Sequence, residues 1–576
     1  MSDNTAQSRS PSFAEIFTPK LVTVLREGYT LADFKADAFA GLTVAIVALP
    51  LSMAIAIASG ASPAAGLYTA VIGGFLISAL GGSRHQIGGP AGAFIVVIAA
   101  TIEKFGYDGF LLATIMAGVM LLAIGYMQLG TYIKYIPHPV IVGFTSGIAV
   151  IIFASQLRDL FGLKLDREPA AFLPKIEALW RAAATYNATA IVIAGLSIVA
   201  ILALRAWRPR FPGLLVVVAL GALATWALNL PVETIGTRFG GIPRALPAPH
   251  LPTMGFQLAL DVLPAAIAFA FLGGVESLLS AVVADGMTGR RHRSNCELVA
   301  QGYANIASAL FGGICATGTI ARTATNIRAN AHGPVAGMLH AVFLLAFMLV
   351  AAPLAAYIPL ASLAAVLAIV AWNMAEKAEF VAILRHDRGD AMVLLATFLL
   401  TVFRDLTEGI SVGVTLGAIV FMHRMAEIVE VRTQEHLIAG DAPDVNRGRE
   451  AYEGQADRDI VTYRIAGPFF FGAATNVSAI LDRIGGRPKA FILDLSAVPL
   501  ADATAAHALL SFVEKTRRKG VRIYLASANP GVMRVLWSNG LTRALVTYAS
   551  NLEEARKRAR RHVEGAGDPP SEAIKS

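Results

Sequence analysis

The sequence predicts a polytopic α-helical membrane protein that ends in a small cytosolic α/β domain. Of the 576 residues, 55% are hydrophobic and only 15% are charged, whereas soluble domains carry about 25% charged residues. Apolar runs of about 18 residues or more, long enough to cross a bilayer as a helix, recur along the first three quarters of the chain. After residue 428 a polar stretch precedes short strand-like runs that alternate with helical patterns, which indicates an α/β domain.

The apolar segments before residue 428 form two sets of seven. The first set is 38–60, 63–81, 90–102, 110–129, 138–156, 188–204 and 212–229. The second set is 260–284, 296–313, 318–330, 333–352, 360–374, 390–403 and 408–425. In each set the third segment is too short to span a bilayer. Short segments with Gly or Pro at matching positions in two halves are typical of transporters with a midplane site, so the sequence predicts 14 transmembrane segments in a 7+7 inverted repeat.

Lysine and arginine in the loops predict the orientation. They concentrate at 205–210, 289–294 and 384–390, and such loops belong in the cytosol. Each half has an odd number of spans, so both chain ends are then cytosolic, and we expect the protein in the cell inner (plasma) membrane. The expected domains are an N-terminal cytosolic segment (1–36), a transmembrane transporter domain (37–427, with repeats at about 38–229 and 260–425), a linker (428–457), the α/β domain (458–562) and a disordered tail (563–576).

Several classes of function are excluded by what the sequence lacks. Two cysteines, Cys296 and Cys315, are too few for a disulfide framework or a CxxC metal site. The sequence contains no G-x-S-x-G motif, P-loop or His/Cys cluster with metal spacing, so we expect no enzyme activity, no cofactor and no metal. The net charge of +8 is not arranged as a basic stripe interleaved with aromatic residues, so we expect no nucleic-acid partner.

The stretch "CATGTIARTATNIRANAHGP" (315–334) places polar and charged residues within an apolar region. If a helix starts near Gly318 or Thr319, then Thr319, Arg322 and Asn326 share one face. A helix that begins at the membrane midplane directs unpaired N–H groups and about half a positive charge into the bilayer, which favours an anion. Burying Arg322 costs about 2.5–3.5 kcal/mol, so we interpret it as a substrate ligand. The alternative is a structural pair with a carboxylate.

A second half-helix is predicted from "GGPAGAF" (88–94), at the start of the third segment. Its glycines permit a sharp entry, Pro90 is tolerated in a first helical turn, and small residues such as Ala93 let the backbone approach a ligand. Two half-helices facing each other would focus positive potential on one cavity. The alternative is a simple Gly-Pro loop. Arg328, nearer the cytosolic end of the tenth segment, is expected to reach the lipid headgroups.

Glu276, in "FLGGVESLLSAVVAD", is the clearest acid inside the predicted membrane region. Ser280 lies one turn later on the same helix face. Because an intramembrane carboxylate is by default a functional group, the pair suggests a site for a coupling ion, H⁺ or Na⁺. The alternative is a structural pair between Glu276 and Arg322.

Pro50 interrupts the first apolar segment in the middle of its span. Leu51, Ser52 and Ile55 follow the expected kink. They can form an apolar wall of the substrate cavity, or they can pack against lipid or the protein core; the sequence favours neither.

Together these stretches resemble one known family. They are "GLTVAIVALPLSMAIA", "GGPAGAF", "GGVESLLSAVVADGMTG", "TGTIARTATNIRANAHGPVAG" and, after the membrane region, "ILDLSAVPLADATAAHAL". This combination is similar to the sulfate permease (SulP) family, and the likeness covers roughly residues 30–560. The run from "ESLLSAVVADGMTG" to "VAWNM" looks closest to the bacterial branch that carries C4-dicarboxylates. The C-terminal domain resembles a STAS domain.

The resemblance implies an anion transporter in which a core domain (segments 1–4 and 8–11) moves against a gate domain (segments 5–7 and 12–14). It implies a small inorganic or organic anion as substrate and a homodimer in membrane lipid. In the alternative of a sensor, the STAS domain would signal to a cytosolic protein partner. The implied substrate-binding residues are Leu51, Ile55, Ala93, Phe94, Gly318, Thr319, Ile320, Ala321 and Arg322.

Three further positions carry implied roles. Glu276 and Ser280 match the acid and the hydroxyl that bind Na⁺ in a bicarbonate-transporting relative. Thr504 lies where related STAS proteins carry a phosphorylatable residue, although Ala505 replaces the usual following glycine. Leu51 stands where many members have Gln, and the loss of that polar ligand favours a dicarboxylate over sulfate.

Overall fold

The computed structural model describes residues 12–131, 137–165, 168–169, 171–207, 213–253, 255–404, 406–427, 430–433, 459–470 and 488–565. Contacts divide the chain into two compact units, Met1–Gly417 and Ala418–Ser576. The predicted domain boundaries stay predictions. Most of the predicted linker and tail lies outside the described residues, which include only 430–433 of the linker and 563–565 of the tail.

The first unit is almost entirely helical. Its helices are α1 (Phe13–Phe17), α2 (Lys20–Gly28), α3 (Leu31–Ala58), α4 (Pro63–Tyr68), α5 (Gly74–Leu80), α6 (Ile95–Tyr126), α7 (His138–Phe161), α8 (Phe172–Arg181), α9 (Ala188–Trp207), α10 (Gly213–Leu228), α11 (Ile235–Phe239), α12 (Phe256–Thr288), α13 (Ser294–Leu310), α14 (Ile320–Arg328), α15 (Val335–Ala355), α16 (Leu360–Met374), α17 (Lys377–His386), α18 (Arg388–Phe403) and α19 (Leu406–Glu427, which continues into the second unit). A π-helical turn, Thr69–Gly73, joins α4 to α5.

The predicted class, a membrane protein of many apolar helices, is confirmed. Within the described residues, eight helical stretches are long and apolar enough to cross a membrane. They are Leu31–Ala58, Pro63–Leu80, Gly92–Tyr126, His138–Phe161, Ala188–Trp207, Phe256–Thr288, Val335–Ala355 and Leu360–His386. A helix coincides with each of the fourteen predicted segments, and the number of crossings stays a prediction.

Two boundaries differ from the sequence prediction. The third and fourth predicted segments are one continuous stretch, α6, interrupted only at Gly106, whose φ of 72° breaks the helical path. The first segment begins at Leu31 rather than at residue 38. Thr30 and Asp33 form a capping box there, with each side chain accepting a hydrogen bond from the other residue's backbone N–H, and this polar start signal lies outside the apolar run.

Close packing of small residues holds the membrane helices together. α3 packs on α15, and α6 packs on α12 and α13. A Cβ placed on Gly41 of α3 would lie 2.5 Å from the carbonyl oxygen of Ala336, and one placed on Gly66 of α4 would overlap the carbonyl oxygen of Ser52. Such near backbone contact is typical of helix packing in lipid, where small residues replace the hydrophobic effect as the means of association.

The buried carboxylate of Asp37 joins the N-terminal segment to the start of α15. It accepts hydrogen bonds from the Tyr29 hydroxyl (2.7 Å) and from the backbone N–H groups of His332 (2.6 Å) and Gly333 (3.0 Å). Each buried donor left without a partner costs about 1–3 kcal/mol.

We therefore expect Asp37→Ala to lower the melting temperature of the full chain in detergent. Asp261→Ala, which removes an exposed acid of α12, serves as the control and should leave the melting temperature nearly unchanged. Equal melting temperatures for the two variants would contradict the anchoring role of Asp37.

The second unit contains a five-stranded sheet, which confirms the predicted α/β domain. Two short strands, β1 (Gly88–Gly89) and β2 (Thr317–Gly318), belong to the first unit. The strands of the second unit are β3 (Glu430–Thr433), β4 (Ile460–Ala466), β5 (Ala490–Ala497), β6 (Arg522–Ala526) and β7 (Thr547–Ala549). Its helices are α20 (Ala503–Arg517), α21 (Pro530–Ser538) and α22 (Leu552–Val563). The strands lie in the order in which they occur in the chain; β3 pairs antiparallel with β4, and the others pair in parallel. The helical pattern that the sequence shows at 473–484 predicts one more helix of this domain, and these residues lie outside those that the structure describes.

Candidate functional site

Two short extended segments bring the predicted half-helices together. β1 (Gly88–Gly89) pairs antiparallel with β2 (Thr317–Gly318), so that Gly88 lies opposite Gly318. After β1 the chain passes through the 3₁₀ turn Gly92–Phe94 into α6. After β2 it enters α14. Neither helix start has a side-chain cap. The first N–H groups of a helix have no intrahelical partners, and here no capping side chain accepts them. The positive ends of both helix dipoles lie beside the same strand pair.

Glycine is required at this crossing because the backbones approach so closely. A Cβ on Gly318 would overlap the Gln86 side chain, and one on Gly89 would overlap Nη1 of Arg322. Gly89 also has a φ of 152°, a conformation that residues with a side chain rarely adopt.

Side chains of α14 anchor the loop that leads into the first half-helix. The Thr323 hydroxyl accepts the backbone N–H of Ile87 (3.1 Å) and the hydroxyl of Ser280 (3.1 Å). One turn later, the Asn326 amide donates to the carbonyl oxygen of His85 (2.9 Å). The polar face predicted for this segment therefore contacts protein, and it holds the two half-helices in register.

Two further anchors of this loop were missed from the sequence. The buried carboxylate of Glu297 accepts the backbone N–H groups of Gly82 (2.9 Å) and Ser83 (3.1 Å). The Gln86 amide donates to the Ser277 hydroxyl of α12 (2.7 Å). Glu297 is an acid inside a predicted apolar segment, which was the available signal, but its partners lie more than two hundred residues earlier in the chain.

Arg322 lies in the first turn of α14 with a side chain that is only 2% exposed. Its Nη2 donates to the hydroxyl of Ser52 (3.2 Å) and to the carbonyl oxygen of Pro90 (3.1 Å). Its Nε and Nη1 have no hydrogen-bond partner. Within the described part of the chain no ion pair closer than 4.0 Å joins Arg322 to Glu276, so this arrangement does not include the structural pair considered as an alternative.

A cavity of about 380 Å³ lies at the two helix starts. It is lined by α3, α7, α12, α14, α16 and α19 as well as by the entry to α6. Eight of the predicted site residues line it: Leu51, Ile55, Ala93, Glu276, Thr319, Ile320, Ala321 and Arg322. Most of the remaining wall is apolar, including Phe144 and Val275, whereas Asn373 and Glu376 add exposed polar groups.

Three other predicted site residues are not among the residues that line the cavity. Phe94 is 1% exposed, and its ring packs against Phe269 with 6.1 Å between the ring centroids. Gly318 belongs to the strand pair. Ser280 is fully buried and donates to Thr323, so the structure does not bring its hydroxyl to the cavity beside Glu276.

Glu276 contributes a carboxylate to the same cavity as Arg322. Its Oε2 atom is buried and has no hydrogen-bond partner. A buried carboxylate oxygen without a hydrogen-bond partner is costly, and the role of Glu276 at a coupling-ion site stays a prediction.

Thr504 lies far along the chain from this cavity, in the second unit. It is exposed in the first turn of α20, where the carboxylate of Asp502 caps the helix by accepting the backbone N–H of Ala505 (2.8 Å). The hydroxyl is therefore accessible, and its regulatory role stays a prediction.

Comparisons with known proteins agree with this architecture. The sequence profile of the sulfate permease family matches residues 34–397, and that of the STAS domain matches residues 452–555. The putative sulfate transporter YvdB of Bacillus subtilis is 40% identical over 518 residues, which is 89% of this chain and 95% of that protein.

Solved structures share the fold. The transmembrane domain of a cyanobacterial bicarbonate transporter, BicA, is 32% identical and superposes with a TM-score of 0.61 over 66% of this chain and 98% of that one. Murine Solute Carrier 26 family member A9, an anion transporter solved in the inward-facing state, superposes with a TM-score of 0.83 over 97% of this chain and 96% of that one, at 19% identity.

The names of these relatives refer to sulfate, bicarbonate and anions, and they do not support the predicted likeness to the C4-dicarboxylate branch. The family profile covers more than half of the chain, and the STAS match follows it. The chain therefore belongs to the sulfate permease family of integral membrane anion transporters and carries a C-terminal STAS domain.

Proposed function

We propose that this protein is a secondary active transporter that binds a small anion between the starts of α6 and α14 and moves it by alternating access. One observation supports this most strongly: two uncapped helix N-termini and the buried guanidinium of Arg322 meet at a single cavity. Helix starts and arginine both stabilise negative charge, and a cavity of low polarity strengthens both effects.

We further propose that a cation, H⁺ or Na⁺, enters the cavity with the anion. Arg322 supplies one positive charge, while Glu276 and Glu376 supply two carboxylates to the same lining. An arriving anion adds further negative charge in a region shielded from water. Neutralising Glu276 with a cation removes that repulsion, and its unpartnered Oε2 is the atom we assign to this role.

Glu276→Gln tests this coupling. The amide of glutamine cannot exchange a proton as a carboxylate does, and it carries no negative charge to neutralise that of Na⁺. We therefore expect anion uptake by the variant to become independent of imposed proton and Na⁺ gradients. Uptake is measured in proteoliposomes, and Glu379→Gln, which alters an exposed acid of α17, is the matched control. A variant that still accumulates anion under the same ion gradient as the unmodified protein would contradict the proposal.

The substrate is proposed more narrowly as a C4-dicarboxylate. The cavity wall near Arg322 is apolar at Leu51, Ile55 and Ile320, which suits an anion with a hydrocarbon part better than sulfate. The names of the relatives refer instead to sulfate and bicarbonate.

Uptake of labelled succinate, fumarate, sulfate and bicarbonate into proteoliposomes, with and without ion gradients, separates these candidates. Accumulation of one anion against its gradient supports transport. Currents without accumulation would identify an anion channel or an uncoupled exchanger. No movement of any anion would favour a sensor that signals through the STAS domain.

We propose that the cavity opens toward the cytosol. Asn373 and Glu376 are exposed beside the end of α16, just before the basic loop 384–390, and basic loops lie on the cytosolic side. An inner-membrane location, cytosolic chain ends, a homodimer and a cytosolic partner of the STAS domain also remain proposals. Labelling of single cysteines from each side of the membrane tests the orientation.

A further inference from the structure

A second cavity, of about 420 Å³, lies on the opposite side of α3 from the anion cavity. It is enclosed by α3 and α4 on one side and by α10 and α15 on the other. Every residue that lines it is apolar or aromatic. Water is therefore a poor occupant, because a buried water needs two to four polar partners.

The groove has a buried floor and an exposed rim. Met53 and Leu67 at the floor are each 1% exposed, whereas Leu223 of α10 is 55% exposed and Leu354 of α15 is 70% exposed. α15 is long and apolar enough to cross a membrane and α10 is a shorter apolar helix, so we expect these rim residues to face hydrocarbon. The groove is thus continuous with the lipid-facing surface of the protein.

The two ends of the groove differ in chemistry. Trp226, near the end of α10, and Tyr357, just beyond the end of α15, line one end. Trp226 lies at the opposite end of α10 from Gly213, where that helix starts. Tryptophan and tyrosine are enriched at the headgroup level of membranes. The other end, toward Leu215 and Phe347, offers only apolar side chains.

We propose that this groove is a binding site for one acyl chain of a bilayer lipid, with the headgroup at the Trp226–Tyr357 end and the chain directed toward Phe347. Polarity matches at both ends: amphipathic rings face the headgroup region, and aliphatic side chains face the hydrocarbon tail. The proposal rests on the membrane fold alone and does not depend on which anion is carried.

The site lies directly behind the anion cavity. Leu49 and Met53 face the groove, whereas Leu51 and Ile55, on the opposite face of the same helix turns, line the anion cavity. Residues two apart on a helix point about 200° away from each other. An acyl chain in the groove therefore packs against the face of α3 that is turned away from the anion cavity, and it supports the apolar wall near Arg322.

Photolabelling of the full chain tests the site. The protein is reconstituted in nanodiscs that contain a phosphatidylglycerol with a diazirine in one acyl chain, and the adducts are mapped by mass spectrometry. We expect saturable labelling of α10 and α15 within the groove, reduced several-fold by excess unlabelled phosphatidylglycerol. Labelling that does not saturate and is equally frequent on lipid-facing α9 would overturn the proposal.

Variants on opposite walls provide a second readout. Ala222→Trp and Ala351→Leu each fill the groove and should reduce its labelling several-fold, whereas Val199→Trp, on the exposed face of α9, should not. Gel filtration and melting temperature establish that each variant is folded. The competition by unlabelled phosphatidylglycerol uses the unmodified protein, so it tests the lipid site even if a variant fails to fold. Undiminished groove labelling in a folded, filled variant would overturn the site.

Discussion

Arg322→Ala is expected to reduce anion uptake to background while leaving folded protein in the membrane. The guanidinium is the one cationic side chain among the residues that line the described anion cavity, and it also links Ser52 of α3 to the carbonyl oxygen of Pro90. Its loss removes the full positive charge at the site and leaves the Pro90 oxygen without this donor. Uptake of the labelled anions into proteoliposomes measures the effect.

Arg328→Ala is the matched control, because Arg328 is exposed in the last turn of the same helix. It should retain most of the uptake. Arg322→Lys should recover only part of the activity, since it keeps the positive charge but its single ammonium nitrogen cannot replace the three donor nitrogens of the guanidinium, of which Nε and Nη1 have no protein partner. Uptake by Arg322→Ala equal to that of Arg328→Ala would remove Arg322 from the site.

Gly89→Ala is expected to be nearly as damaging, although it adds a single methyl group. The φ of 152° at Gly89 costs about 1–3 kcal/mol for a residue with a side chain. The added Cβ would also overlap Nη1 of Arg322, so the guanidinium must leave its position between Ser52 of α3 and the carbonyl oxygen of Pro90. We expect a lower melting temperature in detergent together with loss of uptake.

Gly60→Ala separates the effect of backbone strain from the effect of the close contact with Arg322. Gly60 also has a positive φ, 77°, but no atom lies within 4 Å of a Cβ placed there. This control should lose stability through backbone strain alone and keep its uptake per folded molecule. If Gly89→Ala transports as well as Gly60→Ala after correction for folded protein, close contact with Arg322 is not required for function.

The sequence was sufficient to predict the paired half-helices. "GGPAGAF" and "TGTIAR" each combine glycine, a short apolar run and a matching position in a repeat, and these are local signals. The structure places both at one strand pair and brings Glu276 to the same cavity. Leu51 and Ile55, for which the sequence allowed either the cavity or packing against lipid and core, line the cavity.

The contacts that position these elements could not be predicted in the same way. Thr323 holds Ile87 across 236 residues of chain, and Glu297 holds Gly82 across 215. No local pattern identifies which polar side chain pairs with which distant backbone group. The resemblance to relatives implies a cation site for Ser280 with Glu276, and that role stays a prediction. The hydrogen bond that the Ser280 hydroxyl donates to Thr323 could not be predicted, because it depends on how α12 packs against α14.

The β1–β2 pairing also bears on the energetics of a transport cycle. Two hydrogen-bonded strands with anchored flanks keep the two helix starts at a fixed spacing, so we expect the two helix starts to move together as one rigid body. A carrier of this kind would present the same positive potential to the anion in the state open to either side of the membrane. We then expect the carrier to bind the anion with similar affinity in its two open states, and its net flux, as for any carrier, to be driven by the gradients of anion and coupling ion.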